Sequence, residues 1–155
     1  MPLLSRAIFG CVRLAARHGL AESRDEESLK DAARRTGIHG ETYAYWYLRR
    51  HGYVFVARNY RIPDDKGEID LVGYDGSVLA FVEVKTRSGT GEHPGQPEEA
   101  ITAEKRRHLE RMAKRFMAER RARDVPWRFD LVAIESRVGR APEVRLYKNA
   151  FAAKN

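Results

Sequence analysis

The chain has 155 residues, of which 43% are hydrophobic, so it is long enough to form one globular domain with a sizeable core. Its 29 Lys and Arg outnumber its 22 Asp and Glu, and the formal charge of +7 favours a polyanionic partner such as nucleic acid. The single cysteine, Cys11, excludes an intrachain disulfide framework and is typical of a reducing compartment, so we expect a cytoplasmic protein.

The sequence divides into an N-terminal extension, residues 1–36, and a main domain, residues 37–155. Residues 1–20 are apolar and contain arginines, but their longest apolar stretch is far too short to span a bilayer. Their lack of acidic residues resembles a targeting or membrane-surface segment, whereas a frayed or docked extension is the favoured interpretation. Residues 21–36 are compatible with a polar helix that ends at Gly37, so the extension is expected to be helical or partly disordered.

The first predicted helix of the main domain runs from about Ile38 to His51 and ends at Gly52. Positions 41, 44, 45 and 48 fall at i, i+3, i+4 and i+7, so Glu41 lies on the stripe that should face the core. A carboxylate on that stripe is a candidate functional group. The alternative is that Glu41 only complements the positive end of the helix dipole.

Residues 53–61 are predicted to form a strand, and residues 67–87 form two more, joined by a type I′ turn at Asp75-Gly76. Asp-Gly between apolar runs is a strong hairpin signal because both residues tolerate positive φ. Since side chains alternate along a strand, one face should carry four charged groups at the end of the hairpin far from the turn. These groups are Glu68, Asp70, Glu83 and Lys85.

In this register Asp70 and Glu83 are diagonal neighbours, close enough for both carboxylates to reach one ion. Like charges on neighbouring strands repel, and carboxylates in a partly buried cleft must be paired, protonated or bound to a metal. A divalent cation with Lys85 beside it satisfies this requirement. The alternative is a salt-bridged end of the sheet, in which Lys85 and nearby arginines neutralise the acids.

After a Gly- and Pro-rich loop at 88–99, the longest helix is predicted over 98–123, and two strands over 127–135 and 143–149. The predicted apolar stripe of this helix consists of Ile101, Leu109, Met112, Ala113, Phe116 and Met117. Its outer face is strongly basic, which is typical either of a solvated surface or of one that contacts phosphates.

The predicted order is helix, three strands, long helix and strand, with a final edge strand, in a mixed sheet that has helices on both faces. With Glu41, Asp70 and the run Glu83-Val84-Lys85, this order resembles the PD-(D/E)xK nuclease superfamily. The resemblance is strongest to the bacterial YraN family, which is similar to archaeal Holliday junction resolvases. It covers about residues 37–151, and Ile69 stands where the superfamily name has proline. The matching segments include Gly40-Glu41, Arg58 to Arg61, Gly67 to Asp70, Phe81 to Arg87, Arg128-Phe129-Asp130 and Asn149-Ala150-Phe151.

The resemblance implies an α/β fold with a restriction-endonuclease-like αβββαβ core and a Mg²⁺- or Mn²⁺-dependent endonuclease activity on DNA, including branched or junction DNA. It implies catalytic roles for Lys85 and for three acids that also bind the metal, with Glu68 in support. The three acids are Glu41, Asp70 and Glu83. Oxygen ligands suit these ions, and Lys85 can position the attacking water or stabilise the transition state.

DNA is therefore the expected partner, while RNA and a homodimer are left open. The expected phosphate-contacting residues are Arg58, Arg61, Arg87, Lys105, Arg106, Arg107, Lys114 and Arg115. The alternative function is a non-catalytic nucleic-acid-binding protein that retains the nuclease fold. Four charges that converge on one strand face favour the enzyme, because binding alone does not require them.

Overall fold

The computed structural model describes residues 2–19, 29–63, 65–88, 101–137 and 140–151. Within these ranges the chain forms three helices, α1 (Pro2–Gly19), α2 (Leu29–Arg50) and α3 (Ala103–Glu119). It also forms five strands, β1 (Val54–Tyr60), β2 (Ile69–Asp75), β3 (Val78–Ser88), β4 (Trp127–Ser136) and β5 (Glu143–Phe151). The predicted order of helix, three strands, helix and strand is therefore confirmed, with α1 in front of it and β5 behind.

Helix α2 is longer than the sequence pattern predicts. The predicted helix end at Gly37 is wrong, because α2 continues from Leu29 through this glycine to Arg50. A single glycine inside a helix costs about 1 kcal/mol relative to alanine and does not by itself end it. The backbone turns left-handed at Gly52, with φ of 94°, and the helix stop predicted there is confirmed. The division between residues 36 and 37 stays a prediction.

Helix α1 packs on α2 through aromatic contacts. Phe9 is buried, and its ring centroid lies 5.3 Å from that of Tyr43 and 5.9 Å from that of Tyr47, both in edge-to-face geometry. Each such pair contributes about 0.5–1.5 kcal/mol beyond the buried area. None of the helices in the described part of the chain is both long and apolar enough to cross a membrane. Two predicted segments lie partly outside the described residues, the polar helix at 21–36 and the loop at 88–99.

The β2–β3 hairpin has its turn one residue later than predicted. Asp75 pairs with Val78, so the two turn residues are Gly76 and Ser77. Gly76 has φ of 62°, and Ser77 is not among the described non-glycine residues with positive φ, which fits a type II′ turn rather than type I′. Asp75 instead belongs to strand β2, where its carboxylate accepts a hydrogen bond from Arg128.

The corrected register moves every cross-strand pair of the hairpin by two residues and leaves each side chain on its predicted face, because the side-chain period of a strand is two. Leu71 pairs with Val82, and the next residues along the two strands are Asp70 and Glu83. Continued by one step, the register sets these two acids directly opposite each other rather than diagonally.

Hydrogen bonds order the five strands as β1-β2-β3-β4-β5. The first two pairings are antiparallel. Strands β3 and β4 are neighbours connected through α3, and a helical crossover of this kind is what a parallel pair requires. The sheet is therefore mixed, and the predicted restriction-endonuclease-like α/β fold class is confirmed.

The described residues fall into two compact units. The first draws on the ranges 1–52, 84–93 and 132–146 and contains α1 and α2. The second draws on 53–83, 94–131 and 147–155, and its core forms where α3 covers an apolar face of the hairpin. The residues of the predicted α3 stripe are all buried in that core: Ile101, Leu109, Met112, Ala113, Phe116 and Met117.

Candidate metal centre

Three acidic side chains form a cluster. Glu41 of α2, Glu68 just before β2 and Asp70 of β2 each offer a carboxylate oxygen, and these oxygens lie within 4.8 Å of one another. Asp70 is buried, whereas Glu41 and Glu68 are half-buried. At this distance and an effective dielectric constant of about 20, two ionised carboxylates repel by of the order of 3 kcal/mol. The cluster therefore favours a bound cation.

The donor set suits a hard divalent cation. Carboxylate oxygens are preferred ligands of Mg²⁺ and Mn²⁺, and Mg²⁺ binds oxygen at about 2.0–2.1 Å in an octahedron. Opposite ligands of that octahedron are about 4.2 Å apart, so the cluster needs to close by only about half an ångström. A divalent ion fits here, and Glu68, predicted as a supporting residue, is one of the three acids.

The position of Glu68 depends on the glycine before it. Gly67 has φ of 123°, a conformation that residues with a Cβ rarely adopt, and a Cβ there would approach Nε2 of His108 to 2.5 Å. His108 is itself held by Arg111, whose Nη2 donates to Nδ1 of His108 at 2.8 Å and to the Asp65 carboxylate at 3.2 Å. Helix α3 thus packs directly against the backbone that carries Glu68, and glycine is required at the contact.

Glu41 also follows a glycine in close contact. A Cβ on Gly40 would lie 1.8 Å from Oγ1 of Thr86, so the backbone of α2 can approach strand β3 only because position 40 lacks a side chain. This contact fixes where the helix passes the strand. It therefore fixes the backbone from which Glu41 projects.

Glu83 is paired with α3. Its side chain is 5% exposed, and its carboxylate lies 3.5 Å from Nζ of Lys105 in the first turn of that helix. Within the described residues, Glu83 is not one of the three acids of the cluster, and its role as a metal ligand stays a prediction. The catalytic role of Lys85, two residues along the same strand face, also stays a prediction.

Most of the predicted phosphate-contacting residues lie on the surface. Lys105 and Arg106 are half-buried, and Nε of Arg106 donates to the backbone carbonyl of Ile101 at 3.1 Å. The exposed ones are Arg58, Arg61, Arg87, Arg107, Lys114 and Arg115. Their contact with DNA stays a prediction.

Several of these surface cations already pair with acids of the protein. Arg61 lies 2.7 Å from Glu68, and Lys114 lies 2.7 Å from Glu110 one turn away on α3. Exposed pairs of this kind contribute at most about 1 kcal/mol, so a phosphate can replace the carboxylate at little cost. The pairing of Arg61 also places one guanidinium directly beside an acid of the cluster.

A second polar network, which sequence analysis did not predict, centres on Asp130 of β4. Asp130 is fully buried and accepts hydrogen bonds from the Tyr53 hydroxyl at 2.9 Å, from the Arg128 guanidinium at 2.8 and 3.0 Å, and from the backbone N–H of Asn149 at 2.9 Å. Asn149 has φ of 53°, so the bond stabilises a left-handed residue in β5. We call Tyr53, Asp75, Arg128, Asp130 and Lys148 the Asp130 network.

The charges of the Asp130 network are balanced. Hydrogen bonds from Lys148 and Arg128 lower the pKa of Asp75, and the hydrogen bond to Asp130 raises the pKa of Arg128. Burial and the neighbouring Asp130 raise the pKa of Tyr53, so its hydroxyl stays a donor. Each strong acceptor already faces a matched donor, which indicates a structural role. An aspartate flanked by apolar residues in the run Phe129 to Ile134 is the signal that could have revealed it.

A mixed α/β sheet in this strand order, with acidic side chains gathered at one end of its central hairpin, defines a restriction-endonuclease-like protein. The comparison with known sequences names the family. The sequence model of the uncharacterised protein family UPF0102 matches residues 40–134. The chain belongs to this family, and the predicted membership of the YraN family is thereby confirmed.

Relatives in the family cover most of the chain. A UPF0102 protein of Koribacter versatilis is 40% identical over 132 residues, which make up 85% of this chain and 86% of that protein. A UPF0102 protein of Symbiobacterium thermophilum is 45% identical over 121 residues, 78% of this chain and 99% of that protein. One of Solibacter usitatus is 48% identical over 118 residues, 74% of this chain and 84% of that protein.

Proposed function

We propose that the protein is a metal-dependent endonuclease that hydrolyses phosphodiester bonds in DNA, with branched or junction DNA as the first substrates to test. The observation that carries the proposal is the cluster of Glu41, Glu68 and Asp70, next to a strand that bears Glu83 and Lys85. The net charge of +7 supports a polyanionic substrate. Membership of the family is consistent with the nuclease superfamily that the sequence resembles.

The proposed roles follow from charge and position. Glu41, Glu68 and Asp70 hold a divalent cation, which when bound neutralises charge on the phosphodiester and makes a water molecule more acidic. Lys85 donates hydrogen bonds to the attacking water or to the negative charge that develops on the phosphate oxygens. Arg61, beside Glu68, is placed to contact a flanking phosphate.

The test is a cleavage assay on linear, single-stranded, flapped and four-way DNA, with EDTA, Mg²⁺ or Mn²⁺. We expect metal-dependent cleavage by the unmodified protein and its loss in Asp70→Asn. The matched control is Asp124→Asn, which makes the same change at an exposed site between α3 and β4 and should leave cleavage unaltered.

Calorimetric titration with Mn²⁺ completes the test. We expect binding by the unmodified protein and by Asp124→Asn, and none by Asp70→Asn. Equal Mn²⁺ binding by Asp70→Asn would refute the site. DNA binding with no cleavage of any of the four forms would refute the enzyme in favour of a nucleic-acid-binding protein.

A further inference from the structure

The ion pair between Glu83 and Lys105 joins the central hairpin to α3. The carboxylate is almost fully buried, whereas the Lys105 side chain is 32% exposed. The backbone N–H of Lys105 donates to the side chain of Thr102, the N-cap of α3, at 3.2 Å. The backbone of Lys105 is therefore held in place, while its ammonium sits on a flexible four-carbon stem that has access to solvent.

Glu83 also follows directly on the pair Leu71–Val82 in the hairpin register, and Asp70 is its counterpart on β2. A buried carboxylate requires a compensating positive charge. Two cations compete for this requirement, the ammonium of Lys105 from α3 and a divalent ion held by Asp70 and its neighbours.

We propose that Lys105 is a built-in competitor of the metal: it binds Glu83 until a divalent cation in the cluster takes over that carboxylate and releases the ammonium. This inference rests on the proposed metal centre and adds its regulation. A divalent ion attracts a carboxylate more strongly than a monovalent ammonium at the same distance, so the exchange runs toward the metal once the ion is present. Lys105 needs to rotate only its side chain, since Thr102 holds its backbone.

The exchange couples metal binding to DNA binding. A released Lys105 adds a free positive charge at the N-terminal turn of α3, where Arg106 and Arg107 follow in the chain. Helix N-termini and cations both favour phosphate. Metal binding should therefore strengthen DNA binding, and by linkage DNA should strengthen metal binding by the same factor.

The first test compares Mn²⁺ affinities of Lys105→Gln and Lys114→Gln. Lys114 lies on the same helix and pairs with Glu110 at 2.7 Å, so its replacement removes the same charge and a similar ion pair away from Glu83. We expect Lys105→Gln to bind Mn²⁺ about fivefold or more tightly than the unmodified protein, and Lys114→Gln to bind it nearly equally. Unchanged or weaker binding by Lys105→Gln would overturn the inference and leave the metal centre standing.

The second test uses the unmodified protein and so does not depend on how a variant folds. Lysine acetylation by a water-soluble reagent is followed by mass spectrometry as Mn²⁺ is added. We expect the acetylation rate of Lys105 to rise with Mn²⁺ occupancy while that of Lys114 stays constant. A constant rate at Lys105 under saturating Mn²⁺ would overturn the exchange. Failure of both the unmodified protein and Lys105→Gln to bind Mn²⁺ would overturn the metal centre as well.

Discussion

The Asp130 network allows a stability prediction with a magnitude. Replacing Asp130 by Asn removes the negative charge and turns an amide N–H toward donors that previously faced an acceptor. Asp130 is 0% exposed, and its partners are the Tyr53 hydroxyl, the Arg128 guanidinium and the Asn149 backbone. Breaking a buried ion pair by changing one partner costs about 3–5 kcal/mol. Arg128 keeps its hydrogen bond to Asp75, which places the expected loss at the lower end.

For a chain of this length, each 1 kcal/mol lowers the melting temperature by about 2–4 °C, so a loss of roughly 3 kcal/mol lowers it by roughly 6–12 °C. Tyr53→Phe removes a single hydrogen bond to Asp130 and should cost about 1 kcal/mol, or roughly 2–4 °C. The matched control is Glu135→Gln on the same strand, since Glu135 pairs only loosely with an exposed Arg137 at 3.5 Å.

Thermal melts followed by circular dichroism at pH 7 measure all three variants. The expected order of melting temperatures is Glu135→Gln close to the unmodified protein, then Tyr53→Phe, then Asp130→Asn well below. A melting temperature of Asp130→Asn equal to that of Glu135→Gln would refute the reasoning, because it would mean that the buried charge contributes no net stability.

Three further predictions concern the site, the acid limb of stability and the basic surface. Gly40→Ala places a Cβ 1.8 Å from Oγ1 of Thr86 and should weaken Mn²⁺ binding in a calorimetric titration, whereas unaltered binding would show that α2 can shift without moving Glu41. Hydrogen bonds from Lys148 and Arg128 hold the pKa of Asp75 below its ordinary value of 3.8, so this carboxylate stabilises the fold above that pH and loses its contribution as the pH falls through the lowered pKa. The melting temperature of Asp75→Asn should accordingly lie below that of the unmodified protein at pH 7 and converge with it in strong acid, and a constant difference would contradict the assignment. Replacement of four basic residues of α3 should flatten the salt dependence of DNA affinity by about 0.9 in log–log slope for each phosphate that the variant no longer neutralises, and an unaltered slope would make this face a merely solvated one. The four residues are Arg106, Arg107, Lys114 and Arg115.

Local sequence patterns predicted the elements and the faces of the fold well because those features depend on short-range periodicity. The turn of the hairpin was assigned to Asp75-Gly76, and the structure has it at Gly76-Ser77. That error changes the register by two residues, which preserves every face and so preserves the gathering of charges. The helix stop at Gly37 failed for a different reason, since a glycine with helical backbone only weakens a helix.

The candidate site was predictable to the extent that it lies on the hairpin. Asp70 and Glu68 are close in sequence, and strand alternation alone sets them on one face. The ion pair of Glu83 with Lys105 depends on how α3 docks on the sheet, and no local periodicity reports that distance. The same holds for Asp130, whose partners come from separate segments of the chain.

The central claim is that the strand bearing Glu83 and Lys85 performs chemistry, and the most direct test is Lys85→Ala under single-turnover conditions with Mn²⁺. The account predicts nearly unchanged DNA affinity, because one cation among 29 Lys and Arg is a small part of the attraction, and a fall in the cleavage rate of about 10² or more. Melting temperature is followed on the same preparation. The absence of metal-dependent cleavage by the unmodified protein, together with a large loss of thermal stability in Lys85→Ala, would contradict the claim and leave Lys85 a structural partner of buried acids.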